Sequence, residues 1–193
     1  MARHKEFNKE EALEKATIAF WRYGYEGTSI QRLVDTMGIN RGSLYDTFGD
    51  KRSLFQQAIS HYDRTIVKKL ILALEADDAG IKTIIDCFEA IVARAVADRD
   101  RKGCFLTNTA VELCPHDPET TKRIAHNLTC LENAFKKALT KAKQKGEISG
   151  DRDIQALASF LTSSLQGLRV FSKVNPDPQI LADIARVSLS VLN

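Results

Sequence analysis

The chain has 193 residues, enough for one domain or two small ones, and its formal net charge of +3 comes from 28 Lys and Arg against 25 Asp and Glu. Apolar residues make up 44% and charged residues 27%, proportions that exclude a disordered chain. The N-terminal residues are charged, and no apolar run approaches about 18 residues. The sequence therefore predicts no secretory signal and no membrane span. We therefore expect a cytoplasmic protein whose four Cys are reduced thiols.

Helical periodicity dominates the chain. Pro is absent before residue 115, so long helices are unobstructed there. Apolar residues recur every three or four positions, as at Phe55, Ile59, Tyr62 and Ile66, which is the period of a buried helix face. No segment shows the alternation of a strand. The sequence predicts an all-α fold of about nine helices.

Capping residues precede the first four helices. Each has a side-chain oxygen that can accept from the N–H groups of a first helical turn. The second and third helices are short, about 29–36 and 41–47, and the fourth is long, reaching about Glu75. The candidate caps are, in chain order, Asn8, Thr28, Asn40 and Asp50.

Two short helices joined by a tight turn are typical of a helix-turn-helix motif. Gly38 supplies the positive φ that the turn needs, and Leu44 and Phe48 bury the inner face of the second short helix. Its N-terminal end then presents Arg41, Gly42, Ser43, Tyr45 and Asp46. Such an end fits the major groove of DNA, about 12 Å wide. A helical bundle with a solvated charged face is the alternative.

Residues 20–30 (FWRYGYEGTSI) and 39–55 (INRGSLYDTFGDKRSLF) resemble the DNA-binding region of the TetR family of repressors. The resemblance is strong over about residues 8–60 and rests on length and helix number beyond them. It implies a helix-turn-helix DNA-binding domain over residues 1–50, with a ligand-sensing and dimerisation domain over residues 51–193. It also implies a homodimeric transcriptional repressor that binds an inverted-repeat operator in double-stranded DNA and responds to a small molecule or an electrophile.

The resemblance also assigns the DNA contacts. Its phosphate contacts fall on Thr28, Tyr45 and Lys51, and the other members of the set face or flank the bases. The whole DNA-binding set is Thr28, Ser29, Gln31, Arg41, Gly42, Ser43, Leu44, Tyr45 and Lys51.

Two features near this set are ambiguous. Asp46 departs from the aromatic residue or His that the family often has, so it either accepts from a cytosine amine or turns away from the duplex. The basic residues Arg3, His4 and Lys5 form either a minor-groove arm or a disordered tail.

The last two helices are expected to pair with those of a second copy. One helix-turn-helix unit covers one half-site, and two half-sites lie about 34 Å apart. Small residues that let another helix approach recur at Ser159, Ser163 and Gly167. The final helix has an apolar stripe formed by Ile180, Ile184, Val187 and Val191. The resemblance implies a four-helix dimer interface here; burial of both helices inside one subunit is the alternative.

An effector pocket among the middle helices is a further implication of the resemblance. Aromatic residues at helical spacing also form ordinary cores, so core packing is the alternative for each candidate. A ligand that favours the DNA-incompetent dimer lowers operator affinity by its differential binding to the two states. The candidate lining residues are Phe88, Ile91, Cys104, Thr107, Asn108, Val111, Phe135 and Phe160.

Cys104 and the Gly before it open the sixth predicted helix. This opening resembles that of TetR-family repressors which respond to electrophiles and oxidants. A helix N-terminus with Arg101 and Lys102 beside it favours the thiolate, the reactive form of the thiol. A buried structural thiol is the alternative, and Cys87 and Cys130 lie in apolar helical patterns typical of a core.

Metal binding and catalysis are not favoured. Four possible ligands, Cys104, Cys114, His116 and His126, lack the spacings typical of zinc sites. The run Cys114-Pro-His-Asp117 places three catalytic residue types along the chain, but a triad is defined by spatial geometry. We expect no metal, no cofactor and no enzymatic activity. The alternatives to a repressor are a helical small-molecule-binding protein without a DNA target and a thiol enzyme.

Overall fold

All regular structure is helical in residues 7–193, the part of the chain that this computed structural model describes. A π-helical turn and a final 3₁₀ turn accompany the α-helices, and the π-helical turn joins α4 to α5 without interruption. Counting α4 and α5 as one helix, this part of the chain has the nine helices that the sequence predicted. None of them is long and apolar enough to cross a bilayer. The elements are α1 (Lys9–Tyr23), α2 (Ile30–Met37), α3 (Arg41–Phe48), α4 (Lys51–Tyr62), the π turn (Asp63–Val67), α5 (Lys68–Glu75), α6 (Ile81–Ala97), α7 (Phe105–Leu113), α8 (Pro118–Gln144), α9 (Ile154–Val174), α10 (Pro178–Leu189) and the 3₁₀ turn (Ser190–Leu192).

The chain divides into two compact units, one ending at Thr65 and the other beginning at Ile66. Helix α4 belongs to the first unit, because the ring of Phe55 packs edge-on against that of Phe20 in α1, with centroids 5.0 Å apart. This compact unit therefore extends past residue 50, where the predicted DNA-binding domain ends. The basic residues 3–5, which raised the question of a minor-groove arm, lie outside the described part of the chain.

Side-chain caps begin the first four helices, with one correction. The cap of α2 is Ser29, whose Oγ accepts from the N–H of Arg32 at 3.1 Å. Thr28 is turned into the interior instead, where its Oγ1 donates to the carbonyl of Gly24 at 2.5 Å. The other predicted caps are confirmed, with oxygens that accept from first-turn N–H groups at Asn8, Asn40 and Asp50.

The second unit has one continuous apolar core that draws on α5, α6, α8, α9 and α10. Phe88 of α6 and Phe135 of α8 are fully buried there, with ring centroids 6.3 Å apart. Along α8, buried residues recur every three or four positions from Leu131 to Ala142. Helices α8 and α9 pack along each other and form the frame against which α7 and its preceding loop are placed.

Candidate DNA interface and signal-receiving region

The turn between α2 and α3 reverses the chain within three residues. Gly38 has φ 69° and ψ 31°, the left-handed conformation that Gly adopts without steric cost, and its N–H donates to the carbonyl of Val34 at 3.0 Å. Ile39 then enters the interior, 9% exposed. Asn40 starts α3 by accepting, through Oδ1, from the N–H of Ser43 at 2.8 Å. The predicted turn is confirmed.

Helix α3 has an apolar inner face and a polar outer face. Leu44 is fully buried and Phe48 nearly so, which anchors the inner face in the first unit. The outer face consists of exposed residues, as the sequence predicts: Arg41, Gly42, Tyr45 and Asp46.

Three residues of the predicted DNA-binding set are buried instead. Thr28 and Leu44 are fully buried, and Ser43 is 9% exposed. At ~100° per residue, Ser43 lies roughly 200° around α3 from Arg41, which places it at the edge of the inner face. Burial of Leu44 agrees with its predicted place on the inner face, whereas Thr28 and Ser43 leave little side-chain surface for the predicted DNA contacts.

The start of α2 keeps two members of the predicted set exposed. Ser29 and Gln31 both face solvent. The hydroxyl of Ser29 serves as the helix cap, and Nε2 of Gln31 donates to Oδ1 of Asp35 at 2.9 Å. Both side chains already have partners within α2, and both are accessible to a further one.

Two cations on the helices that flank α3 in the chain are held over tyrosine rings. Nζ of Lys51 lies 4.3 Å from the ring centroid of Tyr25, and the guanidinium carbon of Arg32 lies 4.0 Å from that of Tyr23. These distances are within the range of cation–π attraction. The sequence does not reveal the placement of Arg32, because its ring partner, Tyr23, belongs to the preceding helix and no local periodicity links the two.

Cys104 occupies the N-cap position of α7, where the sequence predicted a helix start. Its side chain is 2% exposed, and its Sγ accepts from Nη1 of Arg169, on α9, at 3.6 Å. The cations expected beside it are placed differently. The ammonium of Lys102 bonds the carboxylate of Asp98 at 2.5 Å, and Arg101 is exposed. The guanidinium that meets the thiol therefore comes from a distant helix.

Polar contacts join the start of α7 to α9. Oγ1 of Thr107 donates to Oε1 of Gln166 at 2.7 Å, and Nζ of Lys173 donates to Oδ1 of Asn108 at 3.0 Å. Gly103 has φ 66°, and a Cβ there would lie 2.8 Å from Cγ of Lys173, so this close approach requires Gly. Thr107 and Asn108, both predicted to line the effector pocket, thus fasten α7 to α9 through their side chains.

The remaining predicted pocket residues do not share one cavity. Phe88 and Phe135 are core residues, and Ile91 packs partly buried against the same core. Val111 and Phe160 point outward, 76% and 43% exposed. The structure does not bring these predicted residues together, because helical spacing identifies a face and does not distinguish a core, a cavity wall and an outward stripe.

A cleft of about 1070 Å³ lies between α6 and α10. Val92 and Val96 of α6 and Ala182 and Val187 of α10 contribute apolar surface to it, and Glu89 contributes a carboxylate. Of the predicted binding residues it includes only Val187, which had been assigned to the dimer interface. No local sequence pattern indicates this cleft, since its two walls are about 90 residues apart in the chain.

Helices α9 and α10 leave apolar side chains in solvent. The predicted stripe on α10 is divided: Ile180 and Val187 are 40% and 60% exposed, whereas Ile184 and Val191 pack partly against their own core. Helix α9 adds a longer exposed stripe that the sequence analysis did not assign to the interface, made of Phe160, Val170, Phe171 and Val174.

The predicted small-residue face of α9 is also divided. Ser163 and Gly167 are exposed, and a Cβ added at Gly167 would meet nothing within 4 Å in the described part of this subunit. Ser159 differs, because its hydroxyl donates to Oε1 of Glu132 on α8 at 2.6 Å. Its polar group is therefore used within the subunit.

The segment from Cys114 to Asp117 has a structural role at its last residue. The carboxylate of Asp117 caps α8, accepting from the N–H and the hydroxyl of Thr120 at 3.1 and 2.8 Å. Within residues 7–193, no group of three or more His, Cys, Asp or Glu side chains is close enough to hold a metal ion.

A capped helix-turn-helix with an exposed second helix, followed by a larger helical unit, defines the class of helix-turn-helix DNA-binding regulators. The family model for "Bacterial regulatory proteins, tetR family" matches residues 12–58. The model for "Tetracyclin repressor-like, C-terminal domain" matches residues 80–187. The chain belongs to the TetR family of bacterial transcriptional regulators, which confirms the predicted family, all-α fold and DNA-binding regulatory role.

Similar proteins span the whole chain. The uncharacterized HTH-type transcriptional regulator YezE of Bacillus subtilis is 42% identical over 195 residues and covers 100% of both chains. The HTH-type transcriptional repressor ComR of Escherichia coli is 27% identical over 97% of this chain and 90% of its own. A solved structure of a cysteine mutant of the TetR family regulator CifR, complexed with 26-base-pair operator DNA, has a TM-score of 0.88 and 25% identity, covering 99% of this chain and 100% of that one.

The ion pair before Cys104 gives the loop a defined pH response. Burial acts to raise the pKa of the Asp98 carboxyl, but hydrogen bonds from the ammonium and N–H of Lys102, with their charge attraction, outweigh burial and leave this pKa below its usual value. A depressed folded-state pKa contributes stability above the unfolded pKa of about 3.9, and that stability is lost as pH falls through the folded pKa.

We expect Asp98→Asn to lower the free energy of unfolding at pH 7 by about 1–3 kcal/mol, because a charge-assisted hydrogen bond is lost. The difference from wild type should shrink below about pH 4, where the wild-type carboxylate itself becomes protonated. Urea unfolding at pH 7, 5 and 3 measures the loss of unfolding free energy and its dependence on pH. Asp100→Asn, whose carboxylate is 3.5 Å from the Lys102 ammonium and more exposed, is the control and should lose less. An undiminished deficit at pH 3 would contradict the assignment.

Proposed function

We propose that this chain is a cytoplasmic, dimeric repressor that binds an inverted-repeat operator through α3 and has no enzymatic activity. The proposal rests on the presentation of Arg41, Gly42 and Tyr45 to solvent at a capped helix N-terminus, while Leu44 and Phe48 anchor the opposite face. A helix held in this way places its N-terminal residues against base edges in the major groove. ComR, named as a repressor, and the operator complex of CifR support this function.

The exposed groups divide into base readers and phosphate binders. Arg41 can donate two hydrogen bonds to O6 and N7 of a guanine, the commonest specific contact in the major groove. Gly42 has no side chain, so the backbone of α3 can approach the bases closely. Tyr45 and Lys51 supply phosphate contacts, which orient the protein on the duplex without specifying sequence. The ring of Tyr25 limits the motion of the Lys51 ammonium.

The operator is obtained by selecting bound duplexes from a random pool, and we expect the selected sequences to show two-fold symmetry. Arg41→Ala should cost about 1–3 kcal/mol and relax the preference at one position of each half-site. Lys51→Gln should weaken all duplexes alike and reduce the salt slope by about 1. Fluorescence anisotropy titrations at several salt concentrations measure these effects.

Lys136→Gln, an exposed lysine of α8, is the matched control and should leave binding unchanged. If Arg41→Ala preserved the sequence preference while Lys51→Gln altered it, the assigned roles would be wrong. If no duplex were selected, the chain would instead be a helical ligand-binding protein without a DNA target.

We further propose that α9 and α10 form the contact between two copies. Exposed apolar side chains line both helices, and soluble monomers rarely expose large contiguous apolar patches. Gly167 lies on α9 where its own subunit leaves room for a side chain, so an approaching helix of a second copy accounts for a small residue there. A two-fold dimer presents the same surface from both copies and supplies the two α3 helices that an inverted repeat requires.

Val187→Glu should convert the dimer to a monomer, because burying an uncompensated carboxylate is costly. We expect the dimer dissociation constant to rise about a hundredfold or more, since cost of this kind reaches about 3–5 kcal/mol. Sedimentation velocity over a concentration series measures it. Val111→Glu is the control: Val111 is also exposed, 76% against 60%, but lies on α7. Equal dissociation of both variants, or of neither, would contradict this interface.

The second unit is the proposed receiver of the inducing signal. The cleft between α6 and α10 has the volume of a small-molecule site. Cys104 is the candidate for a chemical signal, because the guanidinium of Arg169, 3.6 Å from Sγ, favours the thiolate. An adduct on this buried sulfur would separate α7 from α9. Since α9 also belongs to the proposed dimer interface, its displacement would shift the population of operator-binding dimers.

N-ethylmaleimide should weaken operator binding by wild type about tenfold, which corresponds to 1.4 kcal/mol of coupling. Cys104→Ser should remove this response, and Cys130→Ser should retain it. Anisotropy titrations before and after treatment measure the affinity. An unchanged affinity in treated wild type, with Cys104 shown by mass spectrometry to be modified, would remove this residue from the signalling mechanism.

A further inference from the structure

His126 and Cys130 form a pair on α8 that the DNA-binding and signalling roles do not use. They lie one helical turn apart, on the same side of the helix, and Sγ of Cys130 lies 3.6 Å from Nε2 of His126. Sequence analysis predicted Cys130 as a core residue. The structure instead leaves its side chain half-buried and that of His126 exposed, so the pair is accessible to solvent.

The four thiols have different surroundings. Cys87 is buried, and burial raises the pKa of its thiol to about 11. Cys104 is buried beside Arg169. Cys114 is half-buried like Cys130, but its sulfur has no hydrogen-bond partner among residues 7–193. Cys130 thus combines accessibility with a base in hydrogen-bond contact, and Cys114 is its counterpart without such a contact.

We propose that the Cys130–His126 pair is a nucleophilic site that takes soft electrophiles of the α,β-unsaturated carbonyl class. A thiol beside an imidazole is the arrangement that activates cysteine nucleophiles, because the thiolate is the reacting form. The α8 backbone holds the two side chains together, and the neighbouring residues Leu131 and Ala134 are buried in the core.

The addition balances without an oxidant or a reductant. With the ring proton on Nδ1, Nε2 of His126 accepts the S–H proton of Cys130, which gives a thiolate and an imidazolium. The thiolate sulfur bonds to the β-carbon of the electrophile, and the C=C π electrons move to form an enolate. The imidazolium then returns its Nε2 proton to the enolate, so that the product is a neutral thioether and His126 is neutral again.

The experiment uses the full-length protein and methyl vinyl ketone as the probe. Samples are quenched over time at pH 7, and peptide mass spectrometry gives a rate constant for each cysteine. We expect Cys130 to react about tenfold faster than Cys114, a modest value for assistance by a positioned base. The buried Cys87 should react more slowly than either. No substitution is needed for this comparison, so folding of a variant does not affect it.

His126→Gln should reduce the rate at Cys130 about tenfold, to that of Cys114, and leave Cys114 unchanged. His116→Gln is the matched control, since it removes another exposed imidazole that the structure does not bond to a thiol; it should change neither rate. Slow labelling of Cys87 reports that each variant remains folded. The proposal fails if Cys130 reacts no faster than Cys114 in wild type, or if His126→Gln leaves the Cys130 rate as it was.

Discussion

The exposure of the outer face of α3 depends on the burial of Leu44 on its inner face. Helix α3 has eight residues, too few to be stable in isolation, so it exists because its inner face is packed. Gly38 reverses the chain before it, and the Asn40 side chain accepts from the N–H of Ser43 in its first turn. The packing of Leu44, the turn at Gly38 and the Asn40 cap hold the helix in place, so its other face is not needed for folding. Arg41 and its exposed neighbours are therefore available to a partner at no cost in folding.

Helix α9 has a similar division of surfaces in the second unit. Its buried residues, Leu161 and Leu165 among them, belong to the core. A second side, with Arg169 and Lys173, bonds the start of α7 and the thiol of Cys104. The third side is apolar and exposed. Helix α9 thus contacts Cys104, the candidate chemical sensor, and also forms part of the surface proposed for dimer formation. A rotation or shift of this helix moves both together.

The four cysteines show how strongly surroundings differentiate one functional group. Burial raises the pKa of the Cys87 thiol, whereas a guanidinium lies beside the buried sulfur of Cys104 and an imidazole lies beside the half-buried Cys130. These differences arise from the electrostatics and solvent access of each site, not from the thiol itself. We therefore expect a single electrophile to react with these sites at distinct rates.

The sequence by itself determined the helices, most of their caps, the turn at Gly38 and the family, because each depends on residues close together in the chain. The sequence did not predict that Thr28 and Ser43 are buried. Neighbouring residues of a helix face different sides, so an error of one position exchanges an exposed side chain for a buried one. Only the tertiary structure decided that Arg169 meets Cys104, that Val111 points to solvent and that Cys130 is accessible. Periodicity specifies which side chains share a helix face, but what covers that face depends on the packing of every other helix at once.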